Sequence, residues 1–208
     1  MRAPILFGAP YSVYVRIVRL TLAEKGVSYG LDPVDIFAEG GPSPDYLARH
    51  PFGKIPAFEH GGQTIFETSA ITRYVDEAFD GPPLQPETAL GRARMNQAIS
   101  LLDAYAYRAM VWDIFVERVE NAAAGSDEAK IAAALPVART CCDVLEQLAR
   151  DSQWLACDRL TLADLHAAPM FDYFLKTPEG AEMMAHNPRL SAWWVAMSRR
   201  RSFAATQD

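Results

Sequence analysis

Three places in the chain put chemically capable groups where a helix or a strand begins. Ser12 follows "GAPY" and opens a helical pattern, so its hydroxyl stands at a helix N-terminus. Taken alone, that placement reads as an N-cap, a common use of serine. Glu67-Thr68 sets an acid and a hydroxyl before a second helical pattern, again the composition of a helix start. Pro56, in "GKIPAF", sits at the mouth of a strand. Proline removes a ladder donor and is tolerated only at a strand's first residue or on an edge. The backbone at Ile55-Pro56 is therefore expected to have a task besides pairing within a sheet. Lys54, just before it, reads by itself as a solvated loop charge.

These residues need a scaffold, and composition bounds it. A chain of 208 residues can bury a substantial core and is long enough for one or two domains. Half the residues are hydrophobic and 22% are charged, the ordinary soluble globular range. A net charge of −6 argues against nucleic acid as the main partner. No apolar run approaches the length of a membrane span, and the N-terminus lacks a secretory signal. Cys141-Cys142 and Cys157 form neither a disulfide framework nor a zinc signature. His50, His60, His166 and His186 show no ligand spacing, so no metal is expected. A reducing cytoplasm is the expected location.

The first 80 residues alternate between strand and helix signals. Ile5-Leu6-Phe7 is a short apolar run that stops at Gly8-Ala9-Pro10. Beyond Ser12, the spacing of Val15, Val18, Leu22 and Ala23 predicts a helix with one apolar face, ended by Gly26. Leu31 to Ile36 reads as a second strand, "FAEGGPSP" as a loop, and Asp45 to Arg49 as at most a short helix. Ala57–His60 and Gln63–Phe66 flank Gly61-Gly62, a two-residue hairpin signal. Thr68 or Ser69 then caps a helix carrying Ala70, Ile71, Tyr74, Val75, Ala78 and Phe79. The order is β-α-β-α-β-β-α. A right-handed crossover makes the first two strands parallel, and the hairpin adds an antiparallel pair.

"DGPPLQPE" ends this unit with three prolines in eight residues. Beyond it, helical patterns run over 88–120, 127–150 and 161–175, and a final one surrounds "LSAWWVAMSRR". Thr161-Leu162-Ala163-Asp164 is a variant capping box, which makes Asp164 a helix cap rather than a catalytic acid. The fold class is α/β plus all-α.

Four of these stretches, "LFGAPYSVYVRIVRLTLAEKGV", "HPFGKIPAF", "FETSAITRYVDEAF" and "LTLADL", resemble the successive signatures of cytosolic glutathione transferases. The resemblance covers essentially the whole chain and is strongest to the phi class and its bacterial relatives. It implies a thioredoxin-like glutathione-binding domain over 1–80 and a helical-bundle domain over 88–208 that forms the electrophile pocket. It implies a homodimer, glutathione as co-substrate, and a small electrophile or hydroperoxide as the second reactant. The Ile55-Pro56 bond would be cis, with the Ile55 backbone pairing with the cysteinyl unit of glutathione. Lys54 would contact the peptide. Glu67 and Thr68 would take the γ-glutamyl end, helix N–H groups meeting its carboxylate and the acid its ammonium.

Ser12 would carry the chemistry by donating to the sulfur. The thiolate is the nucleophile, and a thiol with pKa about 8.5 is only slightly ionised at neutral pH. Lowering that value by two units requires roughly 2.7 kcal/mol of preferential thiolate stabilisation. A hydrogen bond to a charged group supplies about 1.5–3 kcal/mol and a helix N-terminus about 0.3–2 kcal/mol, which together suffice. Tyr11, one residue earlier, fits a pocket wall better. Tyr105, Arg108 and Trp112, at spacings of three and four, would share a helical face and enclose an apolar or aromatic substrate with Tyr11. A stripe of that kind also packs cores and dimer interfaces. The absence of cysteine from "GAPYSVY" disfavours a mixed-disulfide mechanism.

Two departures from the family pattern stand out. Gly41-Pro42 occupies positions where a histidine and a basic residue usually meet the glycine carboxylate of glutathione. Losing such a contact would weaken binding by about 1.5–3 kcal/mol. Cys157 replaces a usual glycine, so its loop is expected to differ locally. The alternative function is a binding or scaffold protein of the same fold without turnover, with Gly41-Pro42 as its best support.

Overall fold

The computed structural model describes residues 3–149 and 152–207. The chain divides into two compact units. The first holds the residues up to Pro83 together with those from Arg201 onward, and the second runs from Leu84 to Arg200. The division between Pro83 and Leu84 lies within "DGPPLQPE". The residues beyond 200, expected in the helical unit, cluster with the first unit instead.

In the first unit, β1 (Ile5–Phe7), β2 (Gly30–Asp32), β3 (Ala57–His60) and β4 (Gln63–Phe66) form one sheet in the order β2-β1-β3-β4. β1 and β2 are parallel, and the β1–β3 and β3–β4 pairs are antiparallel. β2 is shorter than the expected 31–36 because Pro33, without an N–H, ends the ladder. Gly61 and Gly62 turn the hairpin at φ 60° and 79°, both left-handed, as a two-residue turn matched to strand twist demands.

Strand alternation sorts the core into two faces. Leu6 and Phe58 point to one side, where Val15, Val18 and Leu22 of α1 (Val13–Glu24) and Ile71 and Val75 of α3 (Thr68–Ala78) pack on them. Phe7 and Ala57 point to the other and meet Tyr46 of α2 (Pro44–Leu47). α1 is buried around more of its circumference than its single apolar stripe suggests, with Arg16 and Arg19 both inside.

The second unit is helical. α4 (Ala89–Leu101) continues as a π-helical segment, Leu102–Glu120. There follow a 3₁₀ turn at Ala122–Ala124, α5 (Glu128–Leu148), α6 (Leu162–Phe174), α7 (Pro178–His186) and α8 (Pro188–Ser198). A short α9 (Arg201–Ala204) belongs to the first unit. Arg150, at the end of the predicted 127–150 helix, lies outside the described residues. α6 is the core of the second unit, and every residue from Leu162 to Phe171 is buried. The capping box at its start forms as its sequence requires. Asp164 accepts from Thr161 N–H at 2.7 Å, Thr161 Oγ1 at 2.9 Å, Leu155 N–H at 2.9 Å and Trp193 Nε1 at 3.0 Å.

Candidate active site

Sheet register assembles the site. β1–β3 pairing sets Phe7 opposite Ala57, and β3–β4 pairing sets Ala57 opposite Phe66. One residue beyond that row, at a single end of the sheet, come Gly8, Pro56 and Glu67. Three segments distant in sequence therefore begin side by side. Gly8, at φ 152°, makes their approach possible. A Cβ there would lie 2.4 Å from Val15 Cγ2 and 3.3 Å from Ile55 Cβ.

From Gly8 the chain turns into α1. Ser12 N–H donates to Ala9 O at 3.0 Å, and Ser12 O accepts from Arg16 N–H at 2.9 Å. Ser12 has N-cap backbone angles, φ −64° and ψ 130°, yet its side chain makes no capping hydrogen bond. The plain cap reading of this serine therefore does not hold. Its half-buried hydroxyl is left to donate elsewhere.

Ile55-Pro56 is cis, as the resemblance implied. Among the described residues, neither the N–H nor the C=O of Ile55 has a hydrogen-bond partner. An open backbone edge of that kind suits an added extended peptide. Tyr46 fixes the preceding residue by donating its hydroxyl to Lys54 O at 2.6 Å. Burial pushes the Tyr46 phenol up to about 12, so it remains a donor at ordinary pH. The Lys54 ammonium is exposed.

Glu67, not Thr68 or Ser69, takes the N-cap position of α3, at φ 70° and ψ 114°. It is the one non-glycine residue with positive φ among the described residues. Backbone held there costs on the order of 1–3 kcal/mol and clusters at ligand clamps. Glu67 O accepts from Ala70 and Ile71 N–H at 2.9 and 3.0 Å, while its carboxylate makes no capping bond and is exposed. Among the described residues, the N–H groups of Thr68 and Ser69 have no partner. They stand at the positive end of an 11-residue helix, a ready anion site.

His50 is a supporting residue that sequence reasoning missed by looking only for ligand spacing. Its ring is buried, with its centroid 4.8 Å from that of Phe66, the residue before Glu67, and 6.5 Å from that of Tyr46. Burial pulls its imidazolium below the ordinary range, against the raising effect of Glu67. The place of His50 at the head of "HPFG" was the available signal.

The two departures resolve differently. Gly40 and Gly41 turn at φ 87° and 73° with open space around them, so this loop supplies no cation to a carboxylate. Arg49, the next cation along, is engaged with Asp45 O at 2.9 Å and lies 4.7 Å over the Phe7 ring. Cys157 is not at positive φ, so its backbone has no need of glycine.

The residues assigned to the electrophile are not all brought together. Tyr11 is 54% exposed in the first unit. In the second unit, the π-helical course removes the expected shared face. With i→i+5 bonds, a spacing of three falls well short of one turn, so Tyr105 parts from Arg108, while a spacing of four still holds Arg108 and Trp112 nearly in line. Tyr105 instead lines a groove of about 620 Å³ with Leu101, Ala104, Val137, Cys141 and Val144. Arg108 pairs with Asp113 at 2.8 Å. Among the described residues no cluster of three or more His, Cys, Asp or Glu side chains is placed to hold a metal. None of the described helices is long and apolar enough to cross a membrane.

Comparison with known proteins decides the family. Residues 6–83 match the glutathione S-transferase N-terminal domain, and residues 99–201 match the C-terminal domain. The chain belongs to the glutathione S-transferase family. It is 33% identical over 191 residues to glutathione S-transferase F9 of Arabidopsis thaliana, covering 90% of this chain and 88% of that one. It is 31% identical to glutathione S-transferase 3 of Zea mays, covering 98% and 93%. These are phi-class transferases, in agreement with the motifs. Among solved structures, glutathione transferase F7 from Populus trichocarpa superposes with a TM-score of 0.85 at 30% identity, covering 98% of this chain and 97% of that one. Glutathione S-transferase I from maize, in complex with an atrazine glutathione conjugate, also gives 0.85, at 26% identity and 99% and 96% coverage.

Proposed function

We propose that this transferase binds glutathione along Lys54-Ile55-Pro56 and Glu67-Thr68, and ionises its thiol with the hydroxyl of Ser12. The observation that carries the reading is the Ser12 hydroxyl, at a helix start but not capping it, in the loop that Gly8 closes onto the unpaired backbone edge of Ile55. The Ile55 N–H and C=O take the cysteinyl backbone, and the N–H groups of Thr68 and Ser69 take the γ-glutamyl carboxylate. Glu67 takes the ammonium. The resulting thiolate attacks an electrophilic carbon, displacing a leaving group, or the terminal oxygen of a hydroperoxide. In the second case the O–O bond breaks to release an alcohol and leave glutathione sulfenic acid, which a second glutathione converts to the disulfide and water.

Turnover is preferred to a binding or scaffold role, since the relatives carry transferase names and one neighbour holds a conjugate. Tyr11, Arg108 and Trp112 are the side chains proposed to meet the electrophile. Tyr105 is withdrawn from that set, because it faces the α4–α5 groove. A homodimer in the cytoplasm completes the reading. Exposed Phe52 and the apolar groove on the 88–120 helix support the dimer, and three free cysteines fit a reducing compartment.

The deciding experiment is a pH–rate profile of Ser12→Ala beside wild type with one aryl-halide electrophile. Turnover at neutral pH is expected to drop by about one to two orders of magnitude, with the apparent thiol pKa rising toward that of free glutathione and its affinity little changed. Coincident profiles would return Ser12 to a structural role and leave Tyr11 or the helix terminus to activate the sulfur. A Tyr11→Phe variant decides between those two.

A further inference from the structure

α1 carries two arginines, Arg16 and Arg19, buried at 3% and 7% exposure and three residues apart. The last residues of the chain cover them. The Arg16 guanidinium carbon lies 5.7 Å from the Phe203 ring centroid, and Ser202 Oγ donates to the Glu24 carboxylate. Among the described residues, Arg19 reaches acceptors in at least three parts of the unit. Its Nε donates to Tyr29 Oη at 3.2 Å and its Nη2 to Ala205 O at 3.1 Å, while its Nη1 reaches Pro10 O at 3.5 Å. Pro10 precedes Tyr11-Ser12. One planar side chain therefore ties the turn that presents Ser12 to Ala205, 186 positions beyond Arg19 itself.

We propose that Arg19 is a positioning residue for Ser12, holding the Pro10–Ser12 turn against a C-terminal strap, residues 201–207, that lies along α1. The inference rests on the reading of Ser12 as the thiol's hydrogen-bond donor. A guanidinium suits the task because its fork serves several carbonyl and hydroxyl oxygens at fixed angles, which a lysine ammonium cannot reproduce. A serine hydroxyl stabilises a thiolate only at hydrogen-bond distance, so a turn that drifts loses the effect. Pro10 offers no N–H, so the Pro10 carbonyl is the group through which Arg19 can hold this part of the turn, beside the Ser12 N–H bond to Ala9 O and the Arg16 N–H bond to Ser12 O.

The test uses full-length Arg19→Lys, Arg19→Met and Ser202→Ala, each also combined with Ser12→Ala. It reads the ultraviolet absorbance of bound thiolate against pH, kcat and KM for glutathione, and thermal melting. Arg19→Lys is expected to fold and to lower kcat near neutral pH about tenfold, within the ~100-fold that a misplacement of ~1 Å can cost. The apparent thiol pKa should rise and the KM change little. Ser202→Ala, which loosens the strap without touching Arg19, should shift the thiol pKa in the same direction by a smaller amount. In the Ser12→Ala background the effect of Arg19→Lys on the thiol pKa should vanish. If Ser12→Ala raises the thiol pKa and neither Arg19 variant does, the inference fails and the Ser12 reading stands. An equal shift in the Ser12→Ala background also overturns it, because Arg19 would then act as a charge and not through Ser12. If Ser12→Ala itself changes nothing, the Ser12 reading fails and takes the inference with it.

Discussion

Glu67 shows how much one residue can hide from a sequence. Its acid beside a hydroxyl at a helix start was legible, and its use toward an ammonium is a proposal that the resemblance suggested. Its backbone at φ 70° was not, because no propensity places a glutamate there and only the closure of β4 onto α3 demands it. The two properties separate by substitution. Glu67→Gln keeps the volume and removes the charge, so glutathione affinity should fall about ten- to a hundredfold, the loss of one charged hydrogen bond. Glu67→Gly should lose affinity similarly but gain about 1 kcal/mol of stability in urea titration, since glycine adopts that φ without strain. An unchanged affinity in both variants would remove Glu67 from the site. His50 adds a pH dependence to the same corner. Its folded pKa is lowered, so the stability it confers is complete above its unfolded value of about 6.5 and is lost as the pH falls through the lower, folded value. Urea titrations from pH 8 to 5, values chosen as about 1.5 units either side of that pKa, should show wild type losing stability faster than His50→Asn. Parallel curves would mean that the ring titrates as it does in the unfolded chain.

Among the elements, local signals served best where a turn or cap is decided by a few adjacent residues. The Gly61-Gly62 hairpin and the Thr161–Asp164 box formed as read. Where a distant partner decides, they failed. The π-helical course of Leu102–Glu120 undid a face drawn for an α-helix, and the strap along α1 left no periodic trace. Lys25 is another such case. It sits just before Gly26 at the end of α1, where nothing local announces a partner, and its ammonium is buried. It donates to Asp76 O at 3.0 Å, Asp76 Oδ1 at 3.1 Å and Pro82 O at 3.2 Å, joining α1, α3 and the linker. With both side chains under a tenth exposed, removing the cation takes from the Asp76 carboxylate its ammonium partner at 3.1 Å in a dry site. Lys25→Met should therefore cost about 3–5 kcal/mol, and Lys25→Met with Asp76→Leu should recover most of it. Chemical denaturation of the three proteins measures both numbers. A cost within about 1 kcal/mol would place the pair with exposed salt bridges, which contribute little.

At the scale of the whole molecule, a second copy of the chain would cover two of the exposed apolar features among the described residues. Phe52, in "HPFG", is 72% exposed, a poor placement for a phenyl ring in a free monomer. The groove lined by Leu101, Ala104, Tyr105, Val137 and Val144 lies on the 88–120 helix and α5. A two-fold axis makes such contacts in pairs, each copy giving a ring and receiving one. Burying one phenyl side chain contributes about 1.5–3 kcal/mol, so the pair would supply about 3–6 kcal/mol of association free energy. Phe52→Glu should then weaken the dimer by about two to four orders of magnitude. Ala104→Trp, filling the groove from the other side of the same contact, should do likewise. Both positions are exposed in the free chain, so circular dichroism should stay that of wild type while the sedimentation mass halves at micromolar concentration. A wild type that sediments as a monomer would end the proposal. A stable Phe52→Glu dimer would move the interface elsewhere. If the two substitutions disrupt assembly and their combination does so no further than either alone, ring and groove are the two halves of one contact.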